Sequence, residues 1–113
     1  MTTTDTATTA QIHYLTKLQA KWLEMRDIIG NVDNEDHVWM RREDARAVVR
    51  DEWIAAGEPG TWREYRKSGR IEEVEAELRE QAIAKNAQRD EAAVRNLDGI
   101  SKAEASALID ILK

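Results

Sequence analysis

The stretch that decides the fold is Leu97–Lys113, LDGISKAEASALIDILK. Gly99 tolerates the left-handed backbone that commonly ends a helix, so the preceding segment is expected to stop there. Ser101 and Glu104 have the spacing of a capping box, in which two side chains bond the free backbone N–H groups of a helix start. Beyond this cap, apolar residues recur at helical spacing at Ala105, Leu108, Ile109 and Leu112. Such a face must pack against an earlier part of the chain.

The beginning of the chain supplies a matching helix. Thr8 and Gln11 form a second capping-box pattern, and Gly30 suits the corresponding end. Between them an apolar stripe follows the helical period through Ile12, Leu15, Leu18, Trp22, Met25 and Ile29. We therefore expect the first and last helices to pack together. The same heptad-like spacing also fits a seam between two copies of the chain, so a homo-oligomer is a second use of this face.

Three further helices are predicted between these two. The second helix runs over 38–56, after an acidic loop in which Asn34 or Asp36 provides the cap. Thr61 caps a short third helix over 62–67, and the longest helix runs over 70–96. The inward-facing candidates of the second helix are Trp39 or Met40, Ala45, Val48 or Val49, and Trp53. Core packing is the expected role of Trp22, Trp39 and Trp53.

No strand-like alternation of apolar and polar residues appears along the chain, so the predicted fold class is all-α. We expect a small bundle of four to five helices, with the N- and C-terminal helices packed together. Residues 1–7 are Thr-rich and lack large apolar groups, which predicts a disordered tail. Residues 8–113 are predicted to form a single helical domain, a usual size for one hydrophobic core.

Composition excludes several classes of function. The chain has no cysteine, which rules out disulfides, thiolate metal sites and a cysteine nucleophile. No apolar run approaches the roughly 20 residues that span a bilayer, so a soluble, cytoplasmic protein without membrane contact is expected. The formal net charge of −5 argues against phosphate-driven binding of nucleic acid by the protein as a whole.

Two segments resemble a small helical module of actinobacterial and actinobacteriophage proteins. They are TTAQIHYLTKL at 8–18 and ISKAEASALID at 100–110, close to the patterns T-x-x-Q-x-x-x-L-x-x-L and L-[ST]-K-x-E-A-S-x-L-I-D-x-L. The second half is the more specific one, and the two segments together span 22 of the 113 residues. Most relatives join the halves by a short linker, whereas residues 31–96 intervene here. The resemblance implies that the first and last helices pack together, that neither half carries a catalytic residue, and that the protein derives from a phage or mobile element.

Catalytic and metal-binding patterns are missing from the sequence. His13 and His37 are the only histidines, and there is no Gly-rich phosphate loop, zinc-protease motif or nucleophile elbow. The acidic loop at 31–36 lacks the ligand order of a calcium-binding EF-hand. We therefore expect a protein that is not an enzyme and that uses no cofactor and no metal.

A basic and aromatic segment, WREYRKSGR at 62–70, is the best candidate for a functional surface. Its candidate residues are Trp62, Arg63, Tyr65, Arg66, Lys67 and Arg70, extended on the second helix by Arg42 and Arg46. Aromatic rings with basic neighbours suit stacking on bases and pairing with phosphates. The same residues equally suit a helix that two aromatic core residues anchor while its charges stay in water.

The preferred hypothesis is a non-enzymatic helical interaction protein that binds a protein partner, for which a host factor is one candidate. The alternative is a nucleic-acid-binding accessory protein that uses segment 62–70. A contiguous positive groove with an exposed Trp62 favours nucleic acid. Buried aromatic rings with mixed charge favour a protein partner or a purely structural segment.

Overall fold

A computed structural model describes residues 5–113 of the chain. Within these residues it contains five helices: α1 Thr9–Ile29, α2 Glu35–Ala55, α3 Trp62–Arg66, α4 Arg70–Ala93 and α5 Lys102–Leu112. The part of the chain that the structure describes contains no strand, only an isolated bridge. The predicted all-α class and the predicted number of helices are therefore confirmed.

Side-chain caps set the helix starts. Thr8 and Gln11 complete the predicted capping box, because Thr8 Oγ1 accepts from the Gln11 N–H at 3.1 Å while Gln11 Oε1 accepts from the Thr8 N–H at 2.9 Å. Ser101 Oγ accepts from the Glu104 N–H at 3.0 Å, but the second bond of the predicted capping box differs: Glu104 Oε1 accepts from the Ser101 hydroxyl at 3.4 Å and not from the Ser101 backbone N–H. Asn34 caps α2, which begins three residues before the predicted start at 38.

The described contacts divide the chain into two compact units. The first comprises the described residues up to Gly30 together with Ala84–Lys113, and the second is Asn31–Ile83. Helix α4 therefore contributes residues to both units. This division does not decide whether 8–113 fold as one domain, so the single-domain prediction stays a prediction.

In the first unit, α1 packs against α5, as the apolar stripes of the two helices predict. Their shared core consists of Leu15, Trp22, Ala92, Ala93, Ile100, Ala105 and Leu112. Leu108 and Ile109 are partly buried against this core. The two ends of the sequence thus build one hydrophobic core, with the last turns of α4 completing it.

The segment ahead of α1 is also part of this unit. Thr6 forms an isolated antiparallel bridge with Ser101, and the Ala7 N–H donates to the Ile100 carbonyl oxygen at 3.0 Å. Ala7 packs against the first core. These contacts place Thr6 and Ala7 against the start of α5, and the predicted disorder of residues 1–7 stays a prediction. Residues 1–4 of the predicted tail lie outside the described residues.

In the second unit, α2 packs against α3, and a smaller core forms from Ala45, Val49, Ile71 and Val74. Trp39 was expected inside but is 64% exposed, and Met40 is 56% exposed. Since Ala45 and Val49 define the inward direction of α2, a step of about 100° per residue places Trp39 about 100° away from it and Met40 farther still. Val49, rather than Val48, is the buried member of its pair.

Candidate functional site

The aromatic residues of α3 are used in packing. Trp62 and Tyr65 are half-buried against the second core. The Trp62 ring lies 5.6 Å from the Trp53 ring and 6.5 Å from the Tyr65 ring, measured between centroids. The guanidinium of Arg50 lies 5.4 Å from the Trp62 ring centroid. Because neighbours occupy these ring faces, α3 has the geometry of a helix anchored by two aromatic residues.

Arg70 is a link between helices. Its Nη2 lies 2.8 Å from Glu52 Oε1 and its Nε donates to Glu52 Oε2 at 3.0 Å, a two-point pair between α4 and α2. Glu73 and Glu77 contact the same guanidinium at 3.1 and 3.6 Å. The hydrogen bond from Arg70 holds the pKa of Glu52 below its ordinary value. The structure thus gives this predicted site residue three carboxylate partners of its own chain.

Four of the eight predicted site residues line one surface groove of about 560 Å³. We call it the basic groove and define it by its lining: Arg42, Arg46, Arg66, Lys67, Ile71, Glu72 and Glu75. Helix α2 supplies the first two residues, and the end of α3 supplies the next two. Arg63 is exposed on α3 but does not line the groove.

The charges of the basic groove are only partly balanced. Arg42 pairs with Glu75 at 3.1 Å, and Arg46 pairs with Glu43 at 2.9 Å. Arg66 and Lys67 are exposed, and neither makes an ion pair within residues 5–113. Four cations and two carboxylates therefore line the groove, which makes it locally positive on a chain of net charge −5.

Trp39 is the residue that sequence reasoning assigned to the core and that the structure places on the surface. Arg42 and Arg46 follow it by three and seven residues on α2, so all three lie on neighbouring positions of one helix face. The sequence does contain a pattern that predicts an exposed Trp39: Val38, Ala45 and Val49 recur at helical spacing and form an apolar stripe that does not include it. An exposed Trp beside the basic groove extends this surface with a large apolar group.

The two histidines lie elsewhere. His13 is exposed on α1, and His37 Nδ1 lies 2.7 Å from the carbonyl oxygen of Asn31 in the loop before α2. Across residues 5–113, no group of three or more histidine, aspartate or glutamate side chains is arranged to hold a metal ion. In the same residues, no helix combines the length and apolar character required to cross a membrane.

Comparisons of the chain with family models, curated proteins and solved structures find no match. The resemblance of segments 8–18 and 100–110 to the actinobacterial helical module therefore stays a prediction. The side chains that the fold brings together at one surface are those lining the basic groove, with Trp39 nearby on α2.

Proposed function

We propose that this protein is a non-enzymatic helical interaction protein that acts by binding a protein partner. The observation that carries the proposal is the exposed Trp39 on the same face of α2 as Arg42 and Arg46. Tryptophan and arginine are the residue types most enriched among the energetically dominant positions of protein interfaces. An exposed Trp contributes nothing to the core, and partner binding gives it a role.

Nucleic-acid binding through segment 62–70 is the weaker alternative. Base stacking requires free ring faces, whereas the Trp62 ring is stacked on Tyr65, lies tilted against Trp53 and has the Arg50 guanidinium over it. Glu72 and Glu75 line the basic groove, where they repel a phosphate backbone. Mixed charge and half-buried rings favour a protein surface as the counterpart.

The origin and location of the protein belong to the same proposal. The resemblance to the actinobacterial and phage module supports a phage or mobile-element source, with action in the host cytoplasm. A host factor is then the natural class of partner. This part of the proposal draws on segments 8–18 and 100–110 alone, and the Trp39 surface does not depend on it.

Site-specific photo-crosslinking tests the proposal. Benzoylphenylalanine is placed at Trp39 in one variant and at Tyr14 in a matched control, because Tyr14 is also an exposed aromatic residue, 47% accessible, on α1. In a lysate of an actinobacterial host, the probe at 39 should give a discrete adduct that the probe at 14 does not. Equal adducts from both positions, or none from either, would contradict the proposal.

Reconstitution completes the test. The protein identified in the adduct is purified and titrated against the wild-type chain and Trp39→Ala by calorimetry. Loss of a dominant interface residue costs at least about 2 kcal/mol of binding free energy, or about thirtyfold in Kd. An unchanged Kd would exclude Trp39 from the interface.

A further inference from the structure

We propose that the basic groove binds an acidic segment of the protein partner, and that Trp39 contacts an apolar residue of the same segment. The proposal rests on the proposed function and adds the chemical character of the partner. The groove supplies the charge selection, and the exposed indole supplies apolar contact area next to it.

The first step concerns the cations that lack partners. Arg66 and Lys67 stand at the end of α3, exposed, without an ion pair in the described part of the chain. A guanidinium presents its donors in a planar fork that matches a carboxylate. An ammonium has three rotatable N–H donors and can donate to an acceptor from many directions. Two neighbouring cations of these kinds are suited to adjacent carboxylates of an incoming chain.

The second step concerns the cations that are already paired. Arg42 and Arg46 each have one carboxylate contact, with side chains about half exposed. Exposed pairs of this kind contribute little to stability, because water screens them. Since Arg42 uses only Nε and Arg46 only Nη1 in these pairs, both arginines have donors left for a carboxylate that enters the groove.

The third step concerns the shape of the groove. Ile71 lines it while belonging to the buried core of the second unit, so this part of the lining is held by packing. The volume of about 560 Å³ falls within the range of about 300–1,000 Å³ typical of ligand sites, enough for a short stretch of peptide. The part of the groove around Ile71 is therefore already in place, and the cost of ordering on binding falls on the exposed arginine and lysine side chains.

Glu72 and Glu75 decide between an acidic peptide and a nucleic acid. A nucleic-acid backbone carries a negative charge at every phosphate, so a strand laid along the groove brings phosphates close to these two carboxylates. A peptide carries its carboxylates at chosen positions and can place neutral residues beside Glu72 and Glu75. The groove therefore fits separated negative charges better than a continuous line of them.

The probe is a short synthetic peptide in which Asp and Glu alternate with Leu, labelled with a fluorophore. Two further probes are the same peptide with Asn and Gln in place of the acids, and a single-stranded DNA oligonucleotide. Anisotropy at low and at physiological salt measures affinity, and backbone amide shifts of the isotope-labelled protein locate the binding. We expect the acidic peptide to bind, the neutral peptide to fail, and the shifted amides to cluster around 39–46, 66–67 and 71.

Charge reversal tests the groove itself. Arg66→Glu with Lys67→Glu should weaken binding of the acidic peptide about tenfold or more, since like charges then face each other. The matched control is Lys85→Glu with Lys102→Glu, which makes the same charge change at exposed lysines outside the groove and should stay within about twofold. Arg66→Ala with Lys67→Ala provides a milder variant, and circular dichroism verifies that each variant folds.

Several results would overturn the inference. They are failure of the wild-type chain to bind the acidic peptide at low salt, equal weakening by the control pair, or tighter binding of DNA with the same shifted amides. If the wild-type chain self-associates and Arg66→Glu with Lys67→Glu abolishes this, the groove is occupied by a second copy of the chain instead of a different partner. If the adduct at residue 39 survives that reversal unchanged, the acidic-segment inference fails while the proposed function stands. If peptide binding persists but no adduct forms at residue 39, the groove binds acidic peptides while the proposed function fails, and the claim that this segment belongs to a protein partner fails with it.

Discussion

The indole Nε1–H of Trp22 on α1 donates a 2.9 Å hydrogen bond to Asp90 Oδ1 on α4. Arg26, one turn further along α1, donates to both oxygens of the same carboxylate at 2.6 and 2.7 Å. The guanidinium of Arg89 lies 5.4 Å from the Trp22 ring centroid. One aspartate thus satisfies the polar edge of a buried ring and joins two helices of the first unit.

This arrangement predicts an acid-sensitive contribution to stability. The hydrogen bond from Arg26, assisted by that from Trp22, holds the pKa of Asp90 below its ordinary value of 3.8. Between the two pKa values the folded state binds fewer protons than the unfolded state, so the free energy of unfolding rises with pH there. The stability advantage of the wild-type chain over Asp90→Asn should be complete above about pH 5 and should shrink as pH falls through the lowered pKa.

Urea unfolding of both chains at a series of pH values measures this advantage. Asp44→Asn is the control, because Asp44 is an exposed carboxylate on α2 without an ion pair among residues 5–113. A difference between wild type and Asp90→Asn that is constant from acid to neutral pH would contradict the assignment.

Leu15 should be among the most sensitive positions for stability. Its side chain is 0% exposed in the core shared by α1 and α5. Leu15→Ala removes buried methyl groups and leaves a cavity, so we expect a loss of about 2–5 kcal/mol in the free energy of unfolding. Leu23→Ala makes the same chemical change on the same helix at a residue that is 53% exposed. Its effect should stay within about 0.5 kcal/mol, and similar losses at both positions would disprove the predicted burial.

Truncation of two tryptophans should have very different effects on the free energy of unfolding. Trp22 is buried in the first core, whereas Trp39 stands in solvent. Trp22→Ala should cost about 3–5 kcal/mol, because it opens a large cavity and leaves Asp90 without one donor. Trp39→Ala should change stability by no more than about 0.5 kcal/mol. Chemical denaturation of the two variants gives the comparison, and a large loss at Trp39 would mean that its indole is not free for a partner.

Segment 62–70 contains both an arginine held in ion pairs, Arg70, and one without an ion pair among the described residues, Arg63, and the two should differ in their effect on stability. Arg70→Ala leaves Glu52, Glu73 and Glu77 without their common cation, so its midpoint of thermal unfolding should fall below that of the wild type. Arg63 is exposed and makes no ion pair in the described chain, and Arg63→Ala should unfold like the wild type. Equal midpoints for the two variants would show that the Arg70 network contributes nothing.

The starts of α1 and α5 and the packing of these two helices could be predicted because they depend on short sequence patterns, whereas α2 begins three residues earlier and α4 ends three residues earlier than predicted. Thr8 and Gln11, or Ser101 and Glu104, stand three residues apart and satisfy each helix start locally. The rotation of α2 could be predicted only by choosing the stripe of Val38, Ala45 and Val49 over Trp39 and Met40, which are both larger than Ala45. A small core selected Ala45 and Val49 instead, because α3 and α4 approach α2 on that side.

Only part of the candidate site could be predicted from the sequence, for a similar reason. Arg66 and Lys67 are basic in any conformation, but their position opposite Arg42 and Arg46 exists only after α2, α3 and α4 have packed. The engagement of Arg70 with Glu52, eighteen residues earlier, likewise depends on tertiary structure. Charge alone does not tell a paired arginine from a free one.

The division of the chain into an uninterrupted central unit and a unit assembled from both flanks has a consequence during synthesis. Segment 31–83 emerges from the ribosome in one piece and can begin to fold at once. Helix α1 emerges first, yet its partner α5 is made about ninety residues later, and closing so long a loop carries an entropic cost that slows folding. The nascent chain therefore carries the apolar stripe of α1 uncovered until α5 has been made, the interval in which a chaperone would meet it.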